Sequence, residues 1–537
     1  MMKIDNYKSI ILFLFTCILL GTSCADDKGN YDYKELEDVA ISGIAQDISV
    51  LAFSDLNITP TFGQFDPSEN EYEFEWKTIQ IGGEQDVHVI GTTKNLNYLV
   101  ELISGQYKLL YTVKKKGSEI YYRTESNLRV NAVTSEGWLV LCSDNNRARL
   151  DMASKVTGET YHDILQDSDM PELKNPYSIV YLPSYQADAN SPFYLLAENG
   201  ATRLGKDDFI WKPEFDMTYE MGNGQPVFPY NITASAAMKM FISKGEAHYC
   251  DYSMQDGLYG LKINKNYQAA QGIGCNIMTR NIFLPFFLLY DVDSKQFTYY
   301  NAGLSPMIGD YEAMLGETGL KALETLAGMG LPFISGTAFD VPVGEYDYRY
   351  MENTKYTPDG GGYDGMTYTI LTKGDNVYLY GFQMGDYYAG QSPVAECKYT
   401  INKAYYGDLS GCTDISRAEH FAFSSLKNFM YYSIGNQVYR INLSENPLKA
   451  EPQFNLPGET ITCLKFYLYT ETDYANRSYD LIVGSQKTGD ESTSGILRVY
   501  DGLDKEGDFY QAQPKETHTG FAKIVDVIFR EIVTITQ

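Results

Sequence analysis

The sequence predicts an all-β protein in which an Ig-like β-sandwich precedes a seven-bladed β-propeller. Three observations favour this fold class. Residues 72–76 alternate apolar and acidic side chains, the period of a half-buried strand. A two-strand unit then recurs seven times in residues 133–537. Finally, residues 522–529 form an apolar strand near the C-terminus, which could join the two ends of a propeller ring.

The start of the chain has the pattern of an export signal. Two lysines, Lys3 and Lys8, precede an apolar run over residues 10–20, and small residues lead to Cys24. The run is too short to span a bilayer. A cysteine after small residues is the acylated residue of lipoproteins, so we expect residues 1–23 to be removed and Cys24 to carry lipid. An ordinary secretory signal with a chance cysteine is the alternative.

The charge of the chain argues against several partners. The formal net charge is −27, and like charge repels nucleic acids and anionic lipid surfaces. We therefore expect no nucleic acid partner and contact with a membrane only through the lipid anchor. Solubility by itself is a sufficient explanation of the acidity.

The first predicted domain follows a polar tether. Residues 24–37 are polar, and residues 38–132 hold alternating strands with Trp76 on an early one. Further strands are expected at residues 107–113 and 127–130. About a hundred residues with this pattern are typical of an Ig-like sandwich.

The repeat unit consists of an apolar strand, a tight polar turn and a second strand rich in Tyr and Val. Most intervals between the starts of successive copies fit one blade of about 40–50 residues plus a loop. A longer gap is predicted to hold an inserted helix over residues 311–327. A solenoid or a two-sheet sandwich is a possible alternative to the propeller. The copies start at Trp138, Phe193, Met238, Phe286, Tyr368, Phe429 and Tyr479.

No pattern of catalytic or metal-ligating residues stands out. The five histidines lack the spacing of a zinc protease helix, and no nucleophile elbow or phosphate-binding loop occurs. We therefore predict no catalytic residues, no bound metal and no cofactor. Among the cysteines, Cys397 and Cys412 are the most plausible disulfide pair by separation, although buried free thiols explain the others equally well.

Tyrosine is unusually abundant, with 46 copies. Tyrosine is a rigid, amphipathic contact residue, so a rim of tyrosines on a propeller face would suit a sugar, a peptide or a protein partner. Packing of half-buried sheet faces is the competing explanation. The predicted ligand-binding residues are Tyr346, Tyr348, Tyr350, Tyr387 and Tyr388.

The segment Cys24-Ala25-Asp26-Asp27-Lys28-Gly29-Asn30-Tyr31-Asp32-Tyr33 resembles the mature start of the PKD-like surface lipoproteins of Bacteroidota. The strands at residues 71–76 and 107–113 are similar to that family as well. Acidic residues directly after the lipidated cysteine, here Asp26 and Asp27, resemble the signal that sends such lipoproteins to the cell surface. The resemblance implies an outer-membrane location facing the exterior.

The same resemblance implies a function. Proteins of this kind accompany SusC/SusD-type TonB-dependent transporters, so the chain is expected to be a non-catalytic accessory lipoprotein that helps bind or present a peptide or glycan. No catalytic residues define the family, and none is carried over. The alternatives are a surface hydrolase of glycans or peptides, with its site in the propeller funnel, and a structural spacer.

Overall fold

The computed structural model describes most of the chain as two compact units. The first unit ends at Arg129, and the second runs from Val130 and also includes residues 102–104. This division lies close to the predicted boundary between residues 132 and 133. The described residues are 40–81, 86–182, 193–206, 209–235, 238–251, 258–264, 267–275, 286–301, 321–322, 334–358, 365–384, 401–469, 472–489 and 491–531.

The first unit is built around a five-stranded sheet in the order β2-β9-β8-β5-β6, with two further strand pairs, β1-β4 and β3-β7. Its strands are β1 (Ile41–Ser42), β2 (Asp47–Leu51), β3 (Asp55–Ile58), β4 (Thr61–Phe62), β5 (Tyr72–Gln80), β6 (Val87–Gly91), β7 (Leu96–Leu99), β8 (Gly105–Lys115) and β9 (Tyr121–Asn131).

Strand β5 shows why this sheet forms. Its alternation buries Tyr72, Phe74 and Trp76 and leaves the acidic residues between them more exposed, as predicted. The indole of Trp76 stacks on Tyr111 at 4.0 Å between ring centroids, and its Nε1 donates a hydrogen bond to the Thr93 carbonyl at 3.0 Å. Burying a large aromatic ring with its polar atom satisfied stabilises the core without a desolvation cost.

The described part of the second unit contains seven sheets. In chain order its strands are β10 (Gly137–Asp144), β11 (Arg147–Ser154), β12 (Thr160–Tyr161), β13 (Pro176–Tyr181), β14 (Phe193–Ala197), β15 (Gly200–Leu204), β16 (Pro229–Ser235), β17 (Met238–Ser243), β18 (Glu246–Asp251), β19 (Gly274–Cys275), β20 (Phe286–Asp291), β21 (Gln296–Asn301), β22 (Lys321–Ala322), β23 (Ile334–Ser335), β24 (Asp347–Thr354), β25 (Met366–Lys373), β26 (Asn376–Met384), β27 (Ile401–Asp408), β28 (His420–Phe423), β29 (Phe429–Ile434), β30 (Gln437–Asn442), β31 (Ala450–Asn455), β32 (Glu459–Phe466), β33 (Leu481–Lys487), β34 (Gly495–Tyr500), β35 (Glu516–Phe521) and β36 (Lys523–Arg530).

We number the sheets in chain order. Sheet 1 has the strand order β12-β11-β10-β36, sheet 2 β13-β14-β15, sheet 3 β16-β17-β18 and sheet 4 β19-β20-β21-β22. Sheet 5 has the order β23-β27-β26-β25-β24, sheet 6 β28-β29-β30-β31 and sheet 7 β32-β33-β34-β35. Short 3₁₀ helices lie at Pro213–Phe215, Met217–Glu220, Ile415–Arg417 and Thr472–Tyr479.

The seven predicted repeat units are all present as antiparallel hairpins. The first shows the physical reason for the tight turns. Asp144 pairs with Arg147, so only Asn145 and Asn146 connect the strands, with φ of 50° and 71°. Positive φ at both central residues matches the twist of the flanking strands, and Asn tolerates this conformation better than most residues.

The C-terminal strand completes the first sheet. Strand β36 pairs antiparallel with β10, which places Phe529 opposite Trp138, and the two rings meet edge to face at 5.0 Å. The pairing predicted between the first repeat and the end of the chain is therefore confirmed. The hydrophobic clusters of this unit lie between neighbouring sheets, such as the cluster of Tyr290 with Phe382 from sheets 4 and 5.

Several sequence predictions meet a correction here or lie outside the described residues. Residues 321–322 belong to the predicted inserted helix, but they form strand β22 and pair with β21, because tertiary pairing overrides a weak helical preference. Cys412 has a free, buried thiol, so the predicted disulfide with Cys397 is wrong. Cys24, the tether and Cys397 lie outside the described residues, within which no helix is both long and apolar enough to cross a membrane.

Candidate functional site

A cavity of about 1150 Å³ lies in the second unit. Edge strands of six sheets line it: β13, β16, β24, β28, β32 and β36. Ligand sites of small molecules and short peptides commonly have volumes of about 300–1,000 Å³. The cavity is therefore large enough for a ligand of several residues or sugar units.

Five of these edge strands carry a β-bulge beside the cavity. In each pairing the edge strand has one residue more than its partner, and the extra position lines the cavity. Bulges re-aim side chains and often occur next to functional sites. The extra positions are Tyr177 in β13, the segment Tyr230-Asn231 in β16, Arg349 in β24, Thr462 in β32 and Val525 in β36.

Lys465 and Asp526 form an ion pair in the cavity wall. The Lys465 Nζ lies 2.6 Å from Asp526 Oδ1, while Asp526 Oδ2 accepts a hydrogen bond from the Ile179 N–H at 3.1 Å. Burial by itself would lower the pKa of Lys465, but the neighbouring carboxylate outweighs burial, so that pKa is raised. One carboxylate thus joins sheets 1, 2 and 7, and both charges of the pair are compensated.

Arg349 is a second cation in the cavity wall, and its partners are backbone carbonyls instead of a carboxylate. Its Nη2 donates to the Ala418 carbonyl at 2.6 Å and its Nη1 to the Ile415 carbonyl at 3.4 Å. The guanidinium lies 5.2 Å from the ring centroid of Phe421. Among the described residues no carboxylate lies within ion-pair distance of Arg349, and burial lowers the pKa of its guanidinium.

Glu352 is a buried acid close to the cavity wall. Burial raises the pKa of its carboxyl group to about 8, although hydrogen bonds from Tyr350 and from the Phe423 N–H act in the opposite direction. The Tyr350 hydroxyl is 2.9 Å from Glu352 Oε2. Tyr350 itself lines the cavity, whereas Glu352 is not among the lining residues. At neutral pH the carboxyl group is therefore largely protonated.

The three predicted tyrosines that lie within the described residues do not line the same cavity. Tyr350 lines the large cavity and packs on Phe421 at 5.4 Å. Tyr346 and Tyr348 instead line a smaller cavity of about 400 Å³ and pack in the cluster between sheets 4 and 5. The bulge at Arg349 is the reason, since one extra residue moves Tyr350 to the opposite face of β24 from Tyr348. Tyr387 and Tyr388 lie outside the described residues.

Sequence reasoning did not single out Lys465, Asp526, Glu352 or Arg349 as site residues. Lys465 lies between Leu464 and Phe466, and Asp526 lies between Val525 and Val527. A charge flanked by apolar residues in a strand is an available signal for a buried pair. Arg349 gives no comparable signal, because the bulge that turns it toward the cavity is invisible in the residue pattern. Within the described ranges, no cluster of three or more His, Cys, Asp or Glu residues could hold a metal ion.

Several solved structures are weakly similar to this chain. A quinonprotein alcohol dehydrogenase-like protein from Bacteroides thetaiotaomicron is 12% identical with a TM-score of 0.39, covering 91% of this chain and 97% of that one. A DUF4784 family protein from Bacteroides caccae is 10% identical with a TM-score of 0.28, covering 92% and 99%. A variant of the Synechocystis apocarotenoid oxygenase is 11% identical with a TM-score of 0.33, covering 85% and 92%. Scores this low support no inference about this chain.

Comparison with protein families gives a clearer result for the start of the chain. No curated protein sequence matches the chain significantly. The model of the PKD-like family, however, matches residues 24–174. This range includes all nine strands of the first unit and the first hairpin of the second. The chain is thus an all-β protein that carries a PKD-like domain in its N-terminal part.

Proposed function

We propose that this chain is a non-catalytic, lipid-anchored protein of the outer cell surface that binds a peptide or glycan. It would act as an accessory component of a SusC/SusD-type nutrient importer. The observation that carries the proposal is the cavity of about 1150 Å³. Its wall combines tyrosine rings with a few charged groups, as ligand sites do when aromatic surfaces give contact area and polar groups give specificity.

The second unit is proposed to be a seven-bladed propeller with this cavity at its centre. Support comes from contacts between the edge strands of successive sheets, which follow the order β13, β16, β19, β24, β28, β32 and β36. Strand β36 also contacts β13, so the order of contacts returns to its beginning. The pairing of β36 with β10 removes one free sheet edge, which is how propellers protect the joint between their chain ends.

The lipid anchor is proposed to sit on Cys24. The family match begins at this residue, which is also the first residue of the predicted mature chain. Replacing Cys24 by Ala should abolish metabolic labelling with a radioactive fatty acid and release the protein from the membrane fraction. A Cys142→Ala variant is a suitable control, because Cys142 is buried in the second unit. Undiminished labelling of the Cys24→Ala variant would refute the anchor.

Association with an importer is tested by purification from the outer membrane. The tagged chain, extracted in mild detergent, should bring a TonB-dependent barrel and its lipoprotein lid with it. Purification of the importer without this chain would contradict the proposed accessory role. Binding is tested separately by calorimetry with panels of peptides and glycans, since the cavity could bind a ligand in either case.

A surface hydrolase is the second candidate function. One observation favours it, because burial raises the pKa of Glu352 to about 8 and a second carboxyl group, Asp526, lies in the cavity wall, and glycosidases use a pair of carboxyl groups of which one is protonated. Against it, the Glu352 carboxyl group is engaged by Tyr350 and Phe423. Turnover of a glycan that disappears in the Glu352→Gln variant would promote this candidate over the first.

A further inference from the structure

The cavity differs in charge from the rest of the chain. The whole chain has a formal net charge of −27, whereas the charged lining residues include three cations and two carboxylates. The cations are Arg349, Lys465 and Lys523, and the carboxylates are Glu419 and Asp526. Burial lowers the pKa of the His420 imidazole, although the contact of its Nε2 with the Ile461 carbonyl oxygen at 3.3 Å acts in the opposite direction, so His420 is counted as neutral.

Contacts within the cavity wall show which of these charges have a partner. Lys465 and Asp526 compensate each other at 2.6 Å. Glu419 accepts a hydrogen bond from the Gly435 N–H at 3.1 Å. No ion pair within the described part of the chain engages Arg349 or Lys523. The lining therefore carries a surplus of about one positive charge, in a protein whose long-range field is negative.

Arg349 is the best placed of these cations to hold a ligand. It occupies the bulge of β24, borders both cavities and is oriented by two backbone carbonyls and by the ring of Phe421. A guanidinium has five N–H donors, and the two carbonyls do not neutralise its charge. A planar fork held in one orientation suits bidentate binding of a carboxylate.

We propose that the cavity binds a ligand bearing a carboxylate, with Arg349 as the residue that contacts this group and Lys523 as a weaker second cation. This inference rests on the proposed binding function and narrows its ligand class. A surplus of about one charge matches a monoanionic carboxylate better than a phosphate, which carries about two charges near neutral pH. The carboxylate can belong to an acidic sugar or to the C-terminus of a peptide, and both offer the same group to Arg349.

Matched acid and neutral probes test the inference on the full lipidated chain in mild detergent. The sugar pair is galacturonic acid and its methyl ester, and the peptide pair is N-acetylated tetra-alanine with a free carboxylate and its C-terminal amide. Isothermal titration calorimetry should show tighter binding of the acid by about tenfold or more in one pair, as charge-assisted bidentate bonds do. The pair that shows this preference identifies the source of the carboxylate.

Substitutions show which residue causes the preference for the acid probe. Arg349→Gln should abolish the preference for the acid, Arg349→Lys should retain part of it, and Lys523→Gln should reduce it less. Arg417→Gln is the matched control, because Arg417 is exposed, lies outside the cavity lining and should leave binding unchanged. Lys523 is exposed at the start of β36, so its variant keeps the test valid even if Arg349→Gln folds poorly.

Two outcomes would overturn the inference, and they are distinguishable. Equal binding of acid and neutral probes, or an unchanged preference in the Arg349→Gln variant, refutes the carboxylate site but leaves the proposed binding function in place. Failure of all four probes to bind the unmodified protein at millimolar concentration counts against the carboxylate site and the proposed cavity function together.

Discussion

Arg477 and Arg349 are two partly buried arginines whose guanidinium groups have different partners. Both stack on aromatic rings, Arg477 at 4.3 Å from the centroid of Phe529 and Arg349 at 5.2 Å from that of Phe421. Arg477 also forms an ion pair with Glu516 at 3.0 Å, whereas the hydrogen-bond partners of Arg349 are backbone carbonyls. Removing one partner of a buried ion pair destabilises a fold because the other charge is left uncompensated, whereas an uncompensated cation beside a cavity is available to a ligand.

The hydrogen bonds of Glu516 show why this carboxylate and Arg477 stabilise the fold. Its Oε2 accepts a hydrogen bond from the Trp138 Nε1 at 2.9 Å, and its Oε1 accepts one from Arg477. Trp138 lies in sheet 1 beside β36, whereas Glu516 begins β35 of sheet 7. One carboxylate therefore connects two sheets at the place where the C-terminal strand completes the first sheet.

The largest expected effect is the loss of this carboxylate. Glu516→Ala should lower the free energy of unfolding by about 2–3 kcal/mol, because it leaves the Trp138 Nε1 and the Arg477 guanidinium buried without their partner. Chemical denaturation followed by tryptophan fluorescence measures the change. The control is Glu506→Ala, which removes an exposed ion pair with Lys427 and should cost less than about 0.5 kcal/mol. Similar losses in the two variants would contradict the structural role.

A somewhat smaller effect is expected on acidification. Burial opposes ionisation of Glu516, but His518, Trp138 and Arg477 outweigh it and lower its pKa from 4.5 to about 2. A carboxyl group whose pKa is lowered by folding stabilises the protein above its unfolded pKa, and this contribution declines as the pH falls from about 4.5 toward 2. Between pH 7 and pH 3 the unmodified protein should lose about 2 kcal/mol more than Glu516→Gln does. Parallel pH profiles of the two proteins would contradict the assignment.

The smallest expected effect is the difference in stability between variants of the two arginines. Arg477→Gln should destabilise the fold by about 2 kcal/mol, because Glu516 then loses its charge partner. Arg349→Gln should cost less than about 1 kcal/mol, since only hydrogen bonds to carbonyls and a ring contact are lost. Thermal unfolding of both variants beside the parent measures the difference. Equal destabilisation would mean that Arg349 is a structural residue like Arg477.

The hairpin strands and the edge strands that line the cavity differ in how clearly the sequence predicts them. The repeat pattern reveals the seven hairpins, because each has two strands joined by a polar turn, with Asn or Gly at positive φ in turns such as those at Asn145-Asn146, Gly374 and Gly435. It did not identify the edge strands β13, β16, β28 and β32 that line the cavity, which lie outside the predicted units. In β13, β16 and β32 a bulge interrupts the alternation on which strand prediction depends.

The amino-acid sequence by itself determined the all-β class, the seven hairpins, the alternation of β5 and the pairing of the C-terminal strand with the first repeat. The class, the hairpins and the alternation depend on local periodicity and turn chemistry, which a linear pattern records. The pairing of the chain ends was inferred instead from the need of a propeller to join its first and last strands. Only the tertiary structure decided that Arg349 lies beside the cavity without a carboxylate partner, and that Tyr348 and Tyr350 face opposite ways. Both outcomes depend on one extra residue in β24, and the register of a strand is set by the neighbour with which it pairs.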